Sequence, residues 1–169
     1  VFSGSGTLFT SGTTNLTGST GGFAGNDLFI QRNWENSGTL NYAFTHDGAD
    51  VVINAATLTN KAGGTVNFAG ISGSDISGSG SFLNEGNVLV NMVGTVTVGA
   101  TFVNNGQVTA NGGALALNGG GSATGTYTSN TGTVRLSGGT HTLNGATFDG
   151  TSSTRIDGAT VALVGADNT

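Results

Sequence analysis

The sequence predicts an all-β chain wound as a right-handed parallel β-helix, a β-solenoid of about seven turns of 20–26 residues. Three observations predict it: a motif recurring at that spacing, short alternating apolar pieces between its copies, and glycine-rich corners. The motif is a large apolar residue, any residue, then Asn, with Gly a few positions on and an aliphatic residue two beyond. It reads Trp34-Glu35-Asn36-Ser37-Gly38-Thr39-Leu40, and returns at Leu58-Thr59-Asn60 before Gly64-Thr65-Val66. Further copies are Phe82-Leu83-Asn84-Glu85-Gly86-Asn87-Val88 and Phe102-Val103-Asn104-Asn105-Gly106-Gln107-Val108. Tyr127-Thr128-Ser129 with Gly132-Thr133-Val134 gives a longer copy, and weaker ones start at Leu8 and Phe148. Successive anchors lie 26, 24, 24, 20, 25 and 21 residues apart.

Within each period the apolar pieces alternate, as in Val88-Leu89-Val90, Val96-Thr97-Val98, Leu115-Ala116-Leu117 and Val134-Arg135-Leu136. A period of two sends one set of side chains inward and the other outward. Gly-Gly, Asn-Gly and Ser-Gly clusters stand between the pieces and supply the positive φ that corners need. The handedness rule for parallel crossovers favours the right-handed coil. The expected core stack is Leu8, Trp34, Leu58, Phe82, Phe102, Tyr127 and Phe148. The residues just before them (Thr7, Asn33, Thr57, Ser81, Thr101, Thr126 and Thr147) should face out. Asn36, Asn60, Asn84 and Asn104 should form a ladder of amides at one corner, ending or changing where Ser129 takes the place of Asn. Lys61 and Glu85 share a register on adjacent turns and should pair at the surface.

Composition agrees. Of 169 residues, 32 are Gly, 27 Thr, 18 Asn and 15 Ser, with no Pro and no Cys. Only 8% are charged, against about 25% in ordinary soluble domains. Collagen is excluded, since Gly has no period of three and Pro is absent. Apolar residues at 36% argue against plain disorder. Four basic residues against nine acidic ones argue against nucleic acid as a partner. No apolar run reaches the roughly 18 residues of a membrane span. Residues 1–169 read as a single solenoid domain. Starting at Val1 without a charged-then-apolar leader, they are expected to be a processed segment of a longer repeat protein or a fibre subunit.

Segments such as Gly132-Thr133-Val134-Arg135-Leu136-Ser137-Gly138-Gly139-Thr140-His141-Thr142-Leu143, and the Asn-x-Gly turns at Asn36, Asn84 and Asn104, resemble repeats of large bacterial surface proteins. The family is the secreted adhesins: filamentous-haemagglutinin-like exoproteins and autotransporter passenger domains. The resemblance runs from about Leu28 to Leu163. It implies a right-handed parallel β-helix at the bacterial surface, serving attachment or matrix building; separately, the absence of convergent reactive groups points away from an enzyme.

For chemistry the sequence offers little. No Gly-x-Ser-x-Gly elbow or phosphate-binding Gly-Lys-Ser/Thr occurs. His46 and His141 fall about four turns apart and read as solvated residues. Glu35, Glu85, Asp149 and Asp157 form no column. The best constellation is Asp47 and Asp50 with Asp75, which come within a residue or so in register. They read first as solvated loop carboxylates, and otherwise as a Ca²⁺ site or an acid acting on a glycosidic bond. An ice-binding Thr array is interrupted, since the second outward column reads Phe9, Glu35, Thr59, Leu83, Val103, Thr128 and Asp149. In that column Phe9, Leu83 and Val103 mark a contact patch, unless a one-residue slip turns them inward. Asn15-Leu16-Thr17 matches the glycosylation sequon, and four Asn-Gly pairs (Asn105, Asn111, Asn118 and Asn144) read as turns.

These readings converge on a structural and adhesive module of a bacterial extracellular protein or filament, a rigid spacer. Its partners are expected to be neighbouring turns or identical subunits end to end, and a host, matrix or polysaccharide surface. A carbohydrate-binding or carbohydrate-active β-helix is the alternative.

Overall fold

The computed structural model describes residues 1–17, 27–45, 49–70, 73 and 75–165. Among them the regular elements are all β-strands, in three sheets whose paired strands run parallel. The first sheet holds Leu8–Thr10, Trp34–Asn36, Thr57–Asn60, Ser81–Asn84, Thr101–Asn104, Gly121–Ala123, Thr140–Asn144 and Thr160–Val164. The second holds Thr13–Leu16, Thr39–Tyr42, Thr65–Phe68, Asn87–Val90, Gln107–Ala110, Thr126–Ser129 and Thr147–Gly150. Leu28–Ile30, Val51–Ile53, Ile76–Ser77, Thr95–Val98, Ala114–Leu117, Thr133–Leu136 and Thr154–Ile156 make the third. The chain visits the sheets in that order on every lap. The result is a β-solenoid of about seven turns, on the order of 30 Å long at the usual inter-strand spacing.

Alternation builds the core. In Thr57–Asn60, Ser81–Asn84 and Asn87–Val90 every second side chain is buried, and the rest point outward. One continuous apolar cluster runs from Ile30 to Ala146. Each fully buried large side chain in it is worth roughly 1.5–3 kcal/mol.

The first sheet confirms the lower part of the expected stack: Leu8, Trp34, Leu58, Phe82 and Phe102 are successive partners. Above Phe102 the column continues through Gly121, His141 and Val161. Tyr127 and Phe148 also face inward, but they stack on Val108 in the second sheet. Thr126 and Thr147, expected in the first sheet's polar column, therefore begin strands of the second sheet. The laps shorten from 26, 24, 24 and 20 residues to 19, 20 and 20. With Gly121 in the place of a large apolar residue, the repeat motif skips one sheet ahead to Tyr127.

Gly121 follows from packing. Its φ is +143°, and a Cβ there would overlap the Phe102 carbonyl oxygen. Close approach alone fixes the glycines between the first and second sheets. A Cβ on Gly64, Gly86, Gly106 or Gly125 would strike a carbonyl oxygen of the lap below, and none of these four has positive φ. Close approach of laps, not a left-handed turn, selects glycine at that corner.

The buried amide ladder forms. Asn36 Nδ2 donates to Asn60 Oδ1 at 2.9 Å, Asn60 to Asn84 at 2.9 Å, and Asn84 to Asn104 at 2.8 Å. All four side chains are wholly buried. Thr10 Oγ1 donates to Asn36 Oδ1 at one end, and Asn104 Nδ2 donates to the Thr126 carbonyl at the other. The ladder stops because Ala123 follows Asn104 in register; Ser129 sits over Ala110 in the second sheet.

Candidate functional site

Among the described residues, three aspartates line up along the start of the third sheet. Leu28, Val51 and Ile76 stack inward, and each is preceded by an aspartate: Asp27, Asp50 and Asp75. The three carboxylates hold the ladder where backbone pairing begins. Asp27 Oδ1 accepts from the Asp50 amide at 3.2 Å, Asp50 Oδ1 from the Asp75 amide at 2.9 Å, and Asp75 Oδ1 from the Thr97 amide at 2.7 Å. The Tyr42 hydroxyl accepts from the Val51 amide at 2.9 Å and donates to the Asp75 carbonyl. Burial pushes its phenol pKa far above the usual value, with the neighbouring aspartates adding to the shift.

Asp50 and Asp75 thus share one column, as the spacing suggested, while Asp47 and His46 lie outside the described residues. Asp27 was missed. Its signal is present in the sequence, as Asp27-Leu28-Phe29-Ile30 against Asp50-Val51-Val52-Ile53, but a reading anchored on the first sheet does not align the third. Among the described residues no three His, Cys, Asp or Glu side chains are grouped to hold a metal.

The same outward column continues as Thr97, Ala116, Arg135 and Arg155. One face of the rod is therefore acidic toward its first laps and basic toward its last. Arg135 Nε lies 3.9 Å from Asp157 Oδ2.

The first sheet's outer face reads Phe9, Glu35, Thr59, Leu83, Val103, Ser122, Thr142 and Ala162. Phe9, Leu83 and Val103 do point outward; Leu83 and Val103 alternate with buried neighbours, and Phe9 stands between the half-buried Leu8 and Thr10. Leu83 and Val103 are adjacent, whereas Glu35 and Thr59 separate them from Phe9, which is 70% exposed. Thr128 and Asp149, expected in this column, belong to the second sheet.

His141 corrects another expectation. It is only 3% exposed, with its ring Nε2 2.9 Å from the Gly138 carbonyl oxygen. It points inward over Gly121, whose missing side chain leaves room for the ring.

At the corner between the first and second sheets, Lys61 Nζ and Glu85 Oε2 pair at 2.9 Å as expected. The hydrogen bond to Glu85, with its charge, raises the Lys61 pKa. Beside the pair lies an open polar hollow of about 440 Å³, lined among others by Glu85, Asn87, Asn105, Gln107, Thr124 and Thr126.

The outer surface also carries an amide ladder that the repeat motif did not suggest. Asn41 Nδ2 donates to Asn15 Oδ1, Asn67 to Asn41, Asn91 to Asn67, Asn111 to Asn91 and Asn130 to Asn111, at 2.8–3.1 Å. Its amides donate toward the first laps, opposite to the buried ladder. Asn15, the sequon residue, is its lowest rung.

The two ends differ. At the first lap Phe2 bridges to Ile30 and lies edge-on to Trp34, with centroids 5.8 Å apart. At the last, Leu136, Leu143, Phe148, Ile156, Val161 and Leu163 line an apolar hollow of about 450 Å³. Ile156 and Leu163 are 61% and 68% exposed. Among the described residues no helix is long and apolar enough to cross a membrane.

Comparison with family models, with curated proteins and with solved structures finds no match for the chain.

Proposed function

We propose that this chain is a structural and adhesive module, a rigid solenoid spacer of a bacterial extracellular surface protein or filament. The observation that carries this reading is the unbroken parallel ladder, which ends in strand edges and an apolar hollow formed by Phe148, Ile156, Val161 and Leu163. Bare parallel edges recruit further strands. Further laps, from the same polypeptide or a neighbouring copy, would extend both the ladder and the dry core. The acidic-to-basic column supports head-to-tail order, because the basic end of one rod meets the acidic end of the next. Leu83 and Val103 supply an outward apolar contact for a host or matrix surface.

Sedimentation and electron microscopy of the purified chain test the end contacts. Rods of constant width that lengthen with concentration, and stay short in an Ile156→Lys, Leu163→Lys variant, support the reading. A monomer at every concentration removes the end-on contact. Loss of surface attachment in Leu83→Ser, Val103→Ser at unchanged stability supports the adhesive part; unchanged attachment removes it.

A second reading, carbohydrate binding, is favoured by the polar corner hollow, whose amides and hydroxyls suit a hydroxyl-rich chain. An array of bacterial and plant polysaccharides tests it. Binding lost in Gln107→Ala, Asn87→Ala supports it, and no binding removes it.

A further inference from the structure

Four Asn-Gly pairs share the chemistry for self-modification, and their surroundings separate one from the other three. After Asn, a glycine amide nitrogen meets no side-chain obstruction in attacking the Asn carboxamide carbon. The attack requires that nitrogen to be released from hydrogen bonding and the Asn side chain to swing freely.

Three pairs lack that freedom. The Gly106, Gly112 and Gly119 amides donate to Asn84, Val90 and Val98 carbonyls of the lap below, at 3.1, 3.1 and 3.2 Å. Asn105 Oδ1 accepts from Thr124 Oγ1, and Asn111 is a rung of the outer ladder, bonded on both sides. A Cβ on any of these three glycines would press on backbone of the lap below, so the turns have little room to rearrange.

Asn144-Gly145 differs chiefly at its glycine. Asn144 is exposed at the end of its strand, and its side chain, whose Oδ1 rests against Gly165, has no hydrogen-bond partner among the described residues. The Gly145 amide likewise has no acceptor among them, and Gly145 has a φ of +71°, unlike the other three. Asn144 also pairs with Val164, so what happens to it is felt in the last described strand.

We infer that Asn144 is a site of spontaneous deamidation, at which the folded chain converts itself while its other Asn-Gly pairs are protected. The Gly145 nitrogen loses its proton and bonds to Asn144 Cγ. The Cγ–Nδ2 bond breaks and the side-chain nitrogen leaves as ammonia, giving a five-membered succinimide. Water opens the ring at one of its two carbonyls, giving aspartate or isoaspartate. No oxidant or metal takes part. The isoaspartate product adds a carbon to the backbone at the edge of Thr140–Asn144, displacing the register with Thr160–Val164 and loosening that strand.

Incubation of the native protein at mildly alkaline pH, followed by peptide mapping and isoaspartate methyl-labelling, tests this. A urea-unfolded sample, in which all four pairs are equally free, sets the reference rate. Asn144 is expected to convert in the native protein at close to the unfolded rate. Asn105, Asn111 and Asn118 should be slower by about tenfold or more, since a ladder bond must open first. Equal native rates at all four, or an Asn144 as slow as the rest, would overturn the inference. An Asn144→Gln variant should lose the native label; label persisting at another pair would equally count against it.

Discussion

Asn84 Nδ2 donates to Asn104 Oδ1 at 2.8 Å, and both side chains are wholly buried between laps. Replacing Asn84 by Ala leaves the buried Asn104 Oδ1 without its donor, while Asn60 Nδ2 keeps the Gly64 and Asn87 carbonyls as acceptors. The orphaned acceptor costs about 1–3 kcal/mol, and the space left by the side chain adds to it. Asn84→Ala should therefore lower unfolding stability by about 3 kcal/mol in denaturant titration. Asn91→Ala, which breaks the exposed outer ladder, should cost under about 1 kcal/mol because water replaces the lost partners. Equal losses would contradict the distinction.

Gly121 predicts a second asymmetry. Its φ of +143° and the Phe102 carbonyl above which it sits leave no space for a methyl group. Gly121→Ala should cost at least about 1–3 kcal/mol from backbone strain alone, visible as a lowered thermal midpoint. Ser122→Ala, one residue on and exposed, should leave the midpoint unchanged.

Alkaline stability follows from the tyrosines. The chain has two, Tyr42 and Tyr127, and burial raises the pKa of both. The folded chain thus keeps these protons at a pH where the unfolded chain, titrating near 10, has lost them. Their contribution is fully present below about pH 10 and declines as pH rises above it. Tyrosinate absorbance should appear only together with loss of the β-sheet circular dichroism. Titration near pH 10 with the fold intact would contradict the buried placement.

The aspartate column predicts a difference between charge and hydrogen bonding. Asp75→Asn keeps an oxygen for the Thr97 amide and removes one of three stacked charges, so stability should hold or rise, with weaker salt dependence. Asp75→Ala leaves that amide without its acceptor and should cost about 1–3 kcal/mol. Denaturant titrations at low and high salt separate the two.

The sequence made the parallel stack, the buried amide ladder and the Lys61–Glu85 pair legible because each repeats a residue type at a fixed lap. It misplaced Tyr127, Phe148 and Ser129 because the laps shorten just where Gly121 replaces a large anchor. A periodic search prefers Tyr127, 25 residues beyond Phe102, to a glycine at 19. His141 was read as solvated for the same reason, since its core position depends on the unrecognised Gly121. Asp27 joins Asp50 and Asp75 only when the third sheet is aligned by itself. The outer Asn ladder hides in a register offset, for Asn67 pairs with Leu89 along the backbone while its side chain bonds to Asn91.

The central claim is the lap register, and engineered disulfides test it most directly, since the chain has no cysteine of its own. Val103 and Ser122 are outward partners on adjacent strands, within the Cα separation a disulfide accepts. Val103→Cys with Ser122→Cys should cross-link within one molecule under mild oxidation, while Val103→Cys with Thr128→Cys should not. A cross-link in the second variant and none in the first would contradict the account.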